Sequence, residues 1–329
     1  MATQPDPGSV HVNAPLTQIS LAFVQDEMGF VADRVFPVIP VDKQSDLYFT
    51  YDRGYFFRDE MSERAPGTES KGTGYEIGTD SYLTKLYAVH HDIPDQVRAN
   101  EDSPLNSDRD TTILVTQKSL IKKEKVFAAA NLTTGVWTTD VAGVAAAPGA
   151  GQVLQWNDAN STPIENVALY QTTVAQLTGF RPGSICMGRS VWDALKNHPE
   201  IVDRIKYGAA PGSPAIVSRQ AVAALMELDE ILVMEAAENT AAQGATNAFS
   251  FIGGKKALLF YKPKSPGIMT PSAGYTFSWK GLTGMTGIAP RIKKFRMDWL
   301  SSDRIEAELA FQHKKISADL GVFFNTLVA

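Results

Sequence analysis

Two stretches of alternating apolar and polar residues stand near the start of the chain. Residues 46–58 (DLYFTYDRGYFFR) set Leu47, Phe49 and Tyr51 on one face and Tyr48 and Thr50 on the other. That period of two predicts a strand. Residues 75–90 (YEIGTDSYLTKLYAVH) read the same way. The segment between them, DEMSERAPGTESKGTG, is polar and rich in Gly and Ser, so the prediction is a long two-stranded ribbon with a polar tip. At about 3.3 Å per residue, a strand over 46–58 spans roughly 43 Å. A lone ribbon of that kind is marginal in water. Its aromatics need partners, either on its own domain or on a neighbouring subunit.

The pattern then changes to helical spacing. Asn106 or Ser107 caps a helix over about 107–131, with Asp108 and Asp110 in its first turn. The pairs Ile113/Leu114, Leu120/Ile121 and Phe127/Ala128 recur every seven residues and predict one apolar stripe. Lys118, Lys122, Lys123 and Lys125 occupy the other side. Residues 132–161 read as loop. Thr162 to Glu165 has the form of a capping box with proline at the first helical position, and Gly179 closes that helix. Ile185 to Met187 and Ile231 to Met234 read as short strands, SVWDALKN and PEIVDRIK as helices broken at Pro199, and Ser218 as a cap. Residues 249–260 are strand-like with a turn at Gly253-Gly254. Near the end, Phe295, Met297 and Trp299 alternate with Lys294, Arg296 and Asp298. After a turn at residues 301–303, Ile305, Ala307, Leu309 and Phe311 alternate with Arg304, Glu306 and Glu308. This is a half-buried antiparallel hairpin. Segregated helices and hairpins make the fold class α+β.

Residues 1–45 show no sustained period and carry five prolines, although residues 16–28 have the spacing of a short helix. Val35, Phe36, Val38, Ile39 and Val41 are too apolar for a solvated tail, which predicts an arm docked on another surface.

Composition narrows the function. The 329 residues are 44% hydrophobic and 20% charged, an ordinary globular mixture, with formal net charge −5. A protein that gripped nucleic acid would be basic. The single cysteine, Cys186, excludes an intrachain disulfide and a multi-cysteine zinc site, and points to a reducing compartment. The N-terminus lacks the charged and apolar regions of a secretory signal, and no apolar run reaches a membrane-spanning length.

Candidate chemistry is sparse. His90-His91-Asp92 is the most metal-like cluster, yet adjacent strand residues point to opposite faces. Gly253-Gly254-Lys255-Lys256 lacks the spacing of a phosphate loop, and Gly72-Thr73-Gly74 is not followed by a helix. Cys186 reads as small core, His198 as a satisfied turn residue, and Lys118 to Lys125 as a solvated helix face. The expectation is no catalytic residue, no cofactor and no metal.

The order of parts is more informative: arm, aromatic ribbon, long helix, compact middle, final hairpin. That order resembles the major capsid protein of tailed bacteriophages, whose fold is shared with encapsulins and the herpesvirus capsid floor. VFPVIPVDKQSDLYFTYDRGYFFRDEMSERAPGTES, YAVHHDIPDQVRAN, QWNDANSTPIENV and SVWDALKNHPEIVDRIKYG are similar to stretches of that family. The resemblance implies an N-terminal arm over 1–45 and an extended loop over 46–90. It implies a spine helix and peripheral domain over 91–178, an axial domain over 179–275, and C-terminal peripheral strands over 276–329. It implies a non-catalytic subunit forming hexamers and pentamers of an icosahedral head shell around double-stranded DNA, without sequence-specific binding and without a membrane. A separate scaffolding protein, a portal and a decoration protein are its implied partners. The virion is its implied location, with assembly in the host cytoplasm. An encapsulin compartment and a motif-less soluble enzyme are the alternatives. The inter-subunit contacts are expected at Tyr48, Phe49, Tyr51, Phe56, Phe57, Arg58, Glu60, Glu63, Arg64 and Lys71. Some family members cross-link a loop lysine to a neighbour's asparagine. Lys71 is the lysine of the tip, but no motif selects an asparagine, so polar contacts rather than a cross-link are expected there.

Overall fold

The computed structural model describes residues 25–102, 105–208, 217–265, 267, 269–283 and 289–329. The expected helix over 16–28 lies outside them except for residues 25–28, where Glu27 and Met28 begin a single 3-10 turn that ends at Gly29.

In chain order, the first elements are α1 (Ala32–Val35), β1 (Val38–Val41), β2 (Ser45–Tyr51), α2 (Arg53–Phe56), β3 (Ile77–Leu83), β4 (Lys85–Pro94) and α3 (Asp95–Ala99). The spine helix α4 (Ser107–Asn131) follows, then β5 (Thr139–Val144), β6 (Gln152–Leu154) and α5 (Pro163–Thr178). The middle of the chain supplies β7 (Ser184–Gly188), α6 (Arg189–Lys196), α7 (Pro199–Gly208), α8 (Arg219–Leu225), β8 (Glu230–Met234), β9 (Ala237–Asn239), β10 (Phe249–Phe251) and β11 (Ala257–Phe260). Last come β12 (Gly274–Trp279), α9 (Lys280–Thr283), β13 (Arg291–Met297), β14 (Ser302–Lys315) and β15 (Gly321–Asn325).

Two large sheets organise these elements. The six-stranded sheet runs β6-β5-β15-β11-β7-β8. Both its faces are buried, which is why its strands read as unbroken apolar runs such as ILVM and ALLF. Ile185, Met187, Ile231, Val233, Leu259, Val322 and Phe324 point to a core shared with α5, α6 and α8. Cys186, Leu232, Leu258, Phe260 and Phe323 point to the opposite core, with Phe36, Phe127 and Trp137. Residues 132–161, read as loop, therefore contribute β5 and β6 to a packed sheet. Their short length and small residues hid them. Sheet membership also cuts across the expected division at 275, since β15 lies between β5 and β11.

The five-stranded sheet is built on β14. Along one edge, β14 pairs antiparallel with β4, and along the other with β13 and then β12, which carries β1. The hairpin register opposes Ile305 to Lys294 and Arg304 to Phe295. Facing residues in a ladder share a face. The apolar sets of β13 and β14 therefore lie on opposite faces, and Phe295 stays 40% exposed. Lys294 is on the spine side, where its ammonium pairs with Asp108 at 2.7 Å.

The spine helix joins the two sheets. Near its start, Val115 packs with Ile93, Ile305 and Ala307; near its end, Phe127 reaches the core of the six-stranded sheet. Asn106 caps it by accepting from the Arg109 N–H at 2.9 Å. Its buried line is not the expected stripe. Thr111, Val115, Ser119, Lys123, Phe127 and Asn131 are buried at steps of four, while Ile113 and Leu114 are partly exposed. Steps of four form the ridge with which a helix packs against a neighbouring surface. Small Thr and Ser serve there because their hydroxyls turn back onto the helix, as Ser119 Oγ does to the Val115 carbonyl at 2.8 Å. The basic run is also more than a solvated face, because Lys123 and Glu124 within it are buried.

Candidate inter-subunit surface

The ribbon is shorter than predicted. β2 and β3 pair over seven residues each, from Ser45 opposite Leu83 to Tyr51 opposite Ile77. Asp52 then accepts from the Gly54 N–H at 3.0 Å and starts the single turn α2, so residues 52–58 do not prolong the strand. At the other end the chain leaves the ribbon at Thr84, and β4 joins the five-stranded sheet instead.

The two faces of the ribbon differ. One face lies on the body of the subunit. Tyr82 stacks on Phe277 with centroids 4.5 Å apart, and Tyr48 leans on the same ring at 5.9 Å. The Tyr48 hydroxyl donates to Asp80 at 2.7 Å, and Asp80 pairs with Lys314 at 3.0 Å. Burial, reinforced by the Asp80 carboxylate, raises the Tyr48 phenol above its ordinary range. The Tyr48 hydrogen bond in turn holds Asp80 below the usual carboxylate range, helped by Lys314. The other face is bare: Leu47, Phe49 (71% exposed), Tyr51, Ile77 and Leu83.

The predicted contact residues separate accordingly. Phe49 and Tyr51 lie on the bare face. Tyr48 packs on its own chain instead, a correction that follows from the position of Phe277 beneath it. Phe56 joins Tyr51 and Tyr75 in an exposed ring cluster with centroids 6.0–6.3 Å apart. Phe57 lies over Gly179 of the same chain, where its ring would touch any added Cβ, and Arg53 pairs with Asp319 at 2.7 Å. The base of the loop is thus anchored on the body. Arg58 sits over the Tyr55 ring, 5.1 Å from its centroid. Residues 59–74 form the tip. There Ala65-Pro66-Gly67-Thr68 makes a tight turn, with the Thr68 N–H donating to the Ala65 carbonyl at 3.2 Å and Gly67 at φ +83°. Glu63, Arg64 and Lys71 are exposed and Glu60 is half-buried.

Exposed apolar residues occur elsewhere that sequence reasoning did not select. Trp299 (78% exposed) and Leu300 crown the β13–β14 turn, and Leu169 and Leu177 project from α5. The alternation of 294–299 predicts Trp299 within the half-buried hairpin. A 3-10 turn at Asp298–Leu300 ends the strand before it.

The chemistry-bearing residues do not converge. His90 and His91 face opposite sides of β4, and Asp92 is engaged by Arg304 through two bonds of 2.6 and 2.8 Å. Cys186 is fully buried, and burial pushes its thiol well up. His198 contacts Ser161 Oγ and the Asp158 carbonyl at 3.0 Å, and accepts from the Glu200 N–H. Among the described residues, no group of three His, Cys, Asp or Glu side chains is placed to hold a metal, and no helix is long and apolar enough to cross a membrane.

Comparison with known proteins gives the context. The family model described as phage major capsid protein E matches residues 154–291. The major capsid protein of Pseudomonas phage JBD67 is 25% identical, with 97% of each chain covered. That of Burkholderia phage BcepMu is 23% identical over 82% of this chain and 84% of its own. Among solved structures, a phage-related protein of Bordetella bronchiseptica aligns with TM-score 0.65 and 20% identity over 92% of this chain and 94% of its own. The capsid of cyanophage P-SCSP1u aligns with TM-score 0.60 and 12% identity over 98% and 94%. The SrpI encapsulin of Synechococcus elongatus aligns with TM-score 0.55 and 10% identity over 99% and 96%. The chain is similar along nearly its whole length to a phage major capsid protein, and it carries the tailed-phage major capsid fold, which encapsulins share.

Proposed function

We propose that this chain is the structural subunit of a tailed-phage head, assembling into the icosahedral shell that encloses the genome. One observation carries the reading from geometry: the bare face of the ribbon, with Leu47, Phe49, Tyr51, Ile77 and Leu83 in a row, on a chain whose own core is complete elsewhere. Apolar burial contributes about 25 cal/mol per Å², so a row repeated in every copy favours association. A contact between a patch and a different patch of the next copy closes into rings or shells. The full-length relation to major capsid proteins supports a phage head over an encapsulin compartment, and it supports a structural rather than an enzymatic role.

In this reading the subunits group as hexamers and pentamers, and the ribbon of one lies on the next. The exposed ring cluster of Tyr51, Phe56 and Tyr75 and the polar tip with Glu63, Arg64 and Lys71 lie at the contact. A scaffolding protein, a portal and a decoration protein are further partners, the enclosed DNA is held without sequence readout, and shells form in the host cytoplasm before packaging into virions. Electron microscopy of the purified protein, with light scattering over a concentration series, tests the reading. Rings, tubes or polyhedral shells are expected; a monomer at every concentration, with or without a scaffolding protein, would overturn it.

A further inference from the structure

Lys123 and Glu124, consecutive residues of the spine helix, both reach across to the arm. Glu124 is buried and holds the backbone there. The Val31 N–H donates to both its oxygens at 3.1 Å, and the Ala32 N–H to Oε2 at 2.9 Å. These bonds to one carboxylate fix the next residue, Asp33 of α1, against the helix. There the Lys123 ammonium, on a residue 3% exposed, donates to Asp33 Oδ2 at 2.8 Å. Asp33 Oδ1 is buried and has no hydrogen-bond partner among the described residues. Aromatic rings lie close by. The Lys123 nitrogen is 5.7 Å from the centre of the Phe311 ring, and Phe36 packs on Phe127 with centroids 5.2 Å apart.

An ion pair suits that place poorly. Taking two charges out of water is costly, and their attraction offsets the cost only where the remaining lone pairs are bonded. One Asp33 oxygen is not. The geometry also favours reaction. A nitrogen hydrogen-bonded to a carboxyl oxygen lies close to the carboxyl carbon, and groups held in that way react as if at very high concentration. Burial raises the Asp33 carboxyl against the pull of Lys123, which favours the neutral acid that an amine can attack.

We propose that Asp33 and Lys123 form a site of self-modification, joined by an isopeptide bond that ties residues 31–36 covalently to the spine helix. The proton of their hydrogen bond passes from the ammonium to the carboxylate, leaving a neutral amine and a carboxylic acid. Nζ attacks Cγ. A C–N bond forms, a C–O bond breaks, and the hydroxyl of the acid leaves as water with one proton of the amine. Nothing is oxidised or reduced, and no co-reactant is consumed. The product is a neutral amide with a single oxygen, so both buried charges and the unpartnered oxygen are removed. Asp33 and Lys123 stand 90 residues apart, and β2, β3 and the tip lie between them. The bond therefore closes a ring of chain from which the ribbon projects, and residues 31–36 cannot leave the helix when the ribbon is pulled.

Mass spectrometry of the purified full chain tests this. The intact mass is expected about 18 Da below that of the sequence, one water, with a branched peptide joining Asp33 to Lys123 in tandem spectra. Limited tryptic cleavage gives a second measurement, because Arg58, Arg64 and Lys71 are exposed in and beside the tip. After a cut there, the two fragments should remain in one band on a denaturing, reducing gel. Lys123→Arg, which keeps the charge and lacks the primary amine, should show its full mass and two separate fragments. An unmodified wild-type mass, wild-type fragments that separate, or a mass deficit that persists in Lys123→Arg would each overturn the proposal. If that variant does not fold, the branched peptide of the wild-type chain decides alone: its presence supports the bond and its absence defeats it. Every readout is taken on the subunit, so a missing bond is distinguishable from a failure to form shells.

Discussion

The six-stranded sheet and the β2–β3 ribbon are made of similar residues and are completed in different ways. In the sheet, every strand of ILVM or ALLF type finds cover on both faces from its own chain: α5, α6 and α8 on one side, Phe36, Phe127 and Trp137 on the other. In the ribbon, Tyr48 and Tyr82 find Phe277, while Leu47, Phe49 and Ile77 stay exposed among the described residues. The same alternation therefore completes a core in one region and leaves an exposed apolar face in the other, the face that the proposed shell contact uses. What separates them is whether a second layer of the same chain passes over the face.

That contrast is open to test, beginning with the largest expected effect. Phe324 in β15 is fully buried against Trp156 and Tyr170. Phe324→Ala should cost about 3–5 kcal/mol of folding free energy in urea unfolding. A loss below about 1 kcal/mol would mean that the sheet does not carry the fold. Phe277 is the seam between ribbon and body. Phe277→Ala should cost less, about 2 kcal/mol, because its ring is covered by the ribbon's Tyr48 and Tyr82 rather than by the six-stranded sheet. It should also speed proteolysis within β2 and β3, and unchanged cleavage there would show that the ribbon is held elsewhere. On the bare face the stability effect should almost vanish. Leu47→Ser with Phe49→Ser should stay within about 0.5 kcal/mol of the parent in unfolding while failing to form shells under the electron microscope. If the double variant assembles normally, another patch, such as Trp299 and Leu300, makes the contact.

Much of this architecture was legible in the sequence. The ribbon, the spine helix with its Asn106 cap, the Pro199 break between α6 and α7, and the Ser218 cap all rest on local signals, and local signals survive folding. The Ser218 hydroxyl, for example, accepts from the Ala221 N–H at 3.1 Å. The capping box at Thr162 marked the start of α5 correctly, although its side-chain cap bond is not formed. What could not be read depends on partners distant in sequence. The buried ridge of the spine helix is set by the sheets it crosses, so Thr111 and Ser119 went unnoticed while Ile113 and Leu114 drew attention. Lys123 and Glu124 looked like solvent-facing charge because their partners, Asp33 and the amides of Val31 and Ala32, lie in the arm. At the candidate surface, alternation identified the bare face, but it could not tell that Phe277 already covers Tyr48 or that Phe57 rests on Gly179.

The place of β15 has a consequence for the order of events during synthesis. Residues 321–325 are made after every other strand of the six-stranded sheet, yet they lie between β5 and β11 and pair with both. Until they leave the ribosome, at roughly 5–20 residues per second, the two halves of that sheet have no common ladder. An unfinished chain therefore carries an open central slot and unpaired strand edges, which disfavour a stable subunit. A polypeptide that has not yet made residues 321–325 thus lacks the strand that joins the two halves of its sheet, so synthesis of that segment times the completion of the fold.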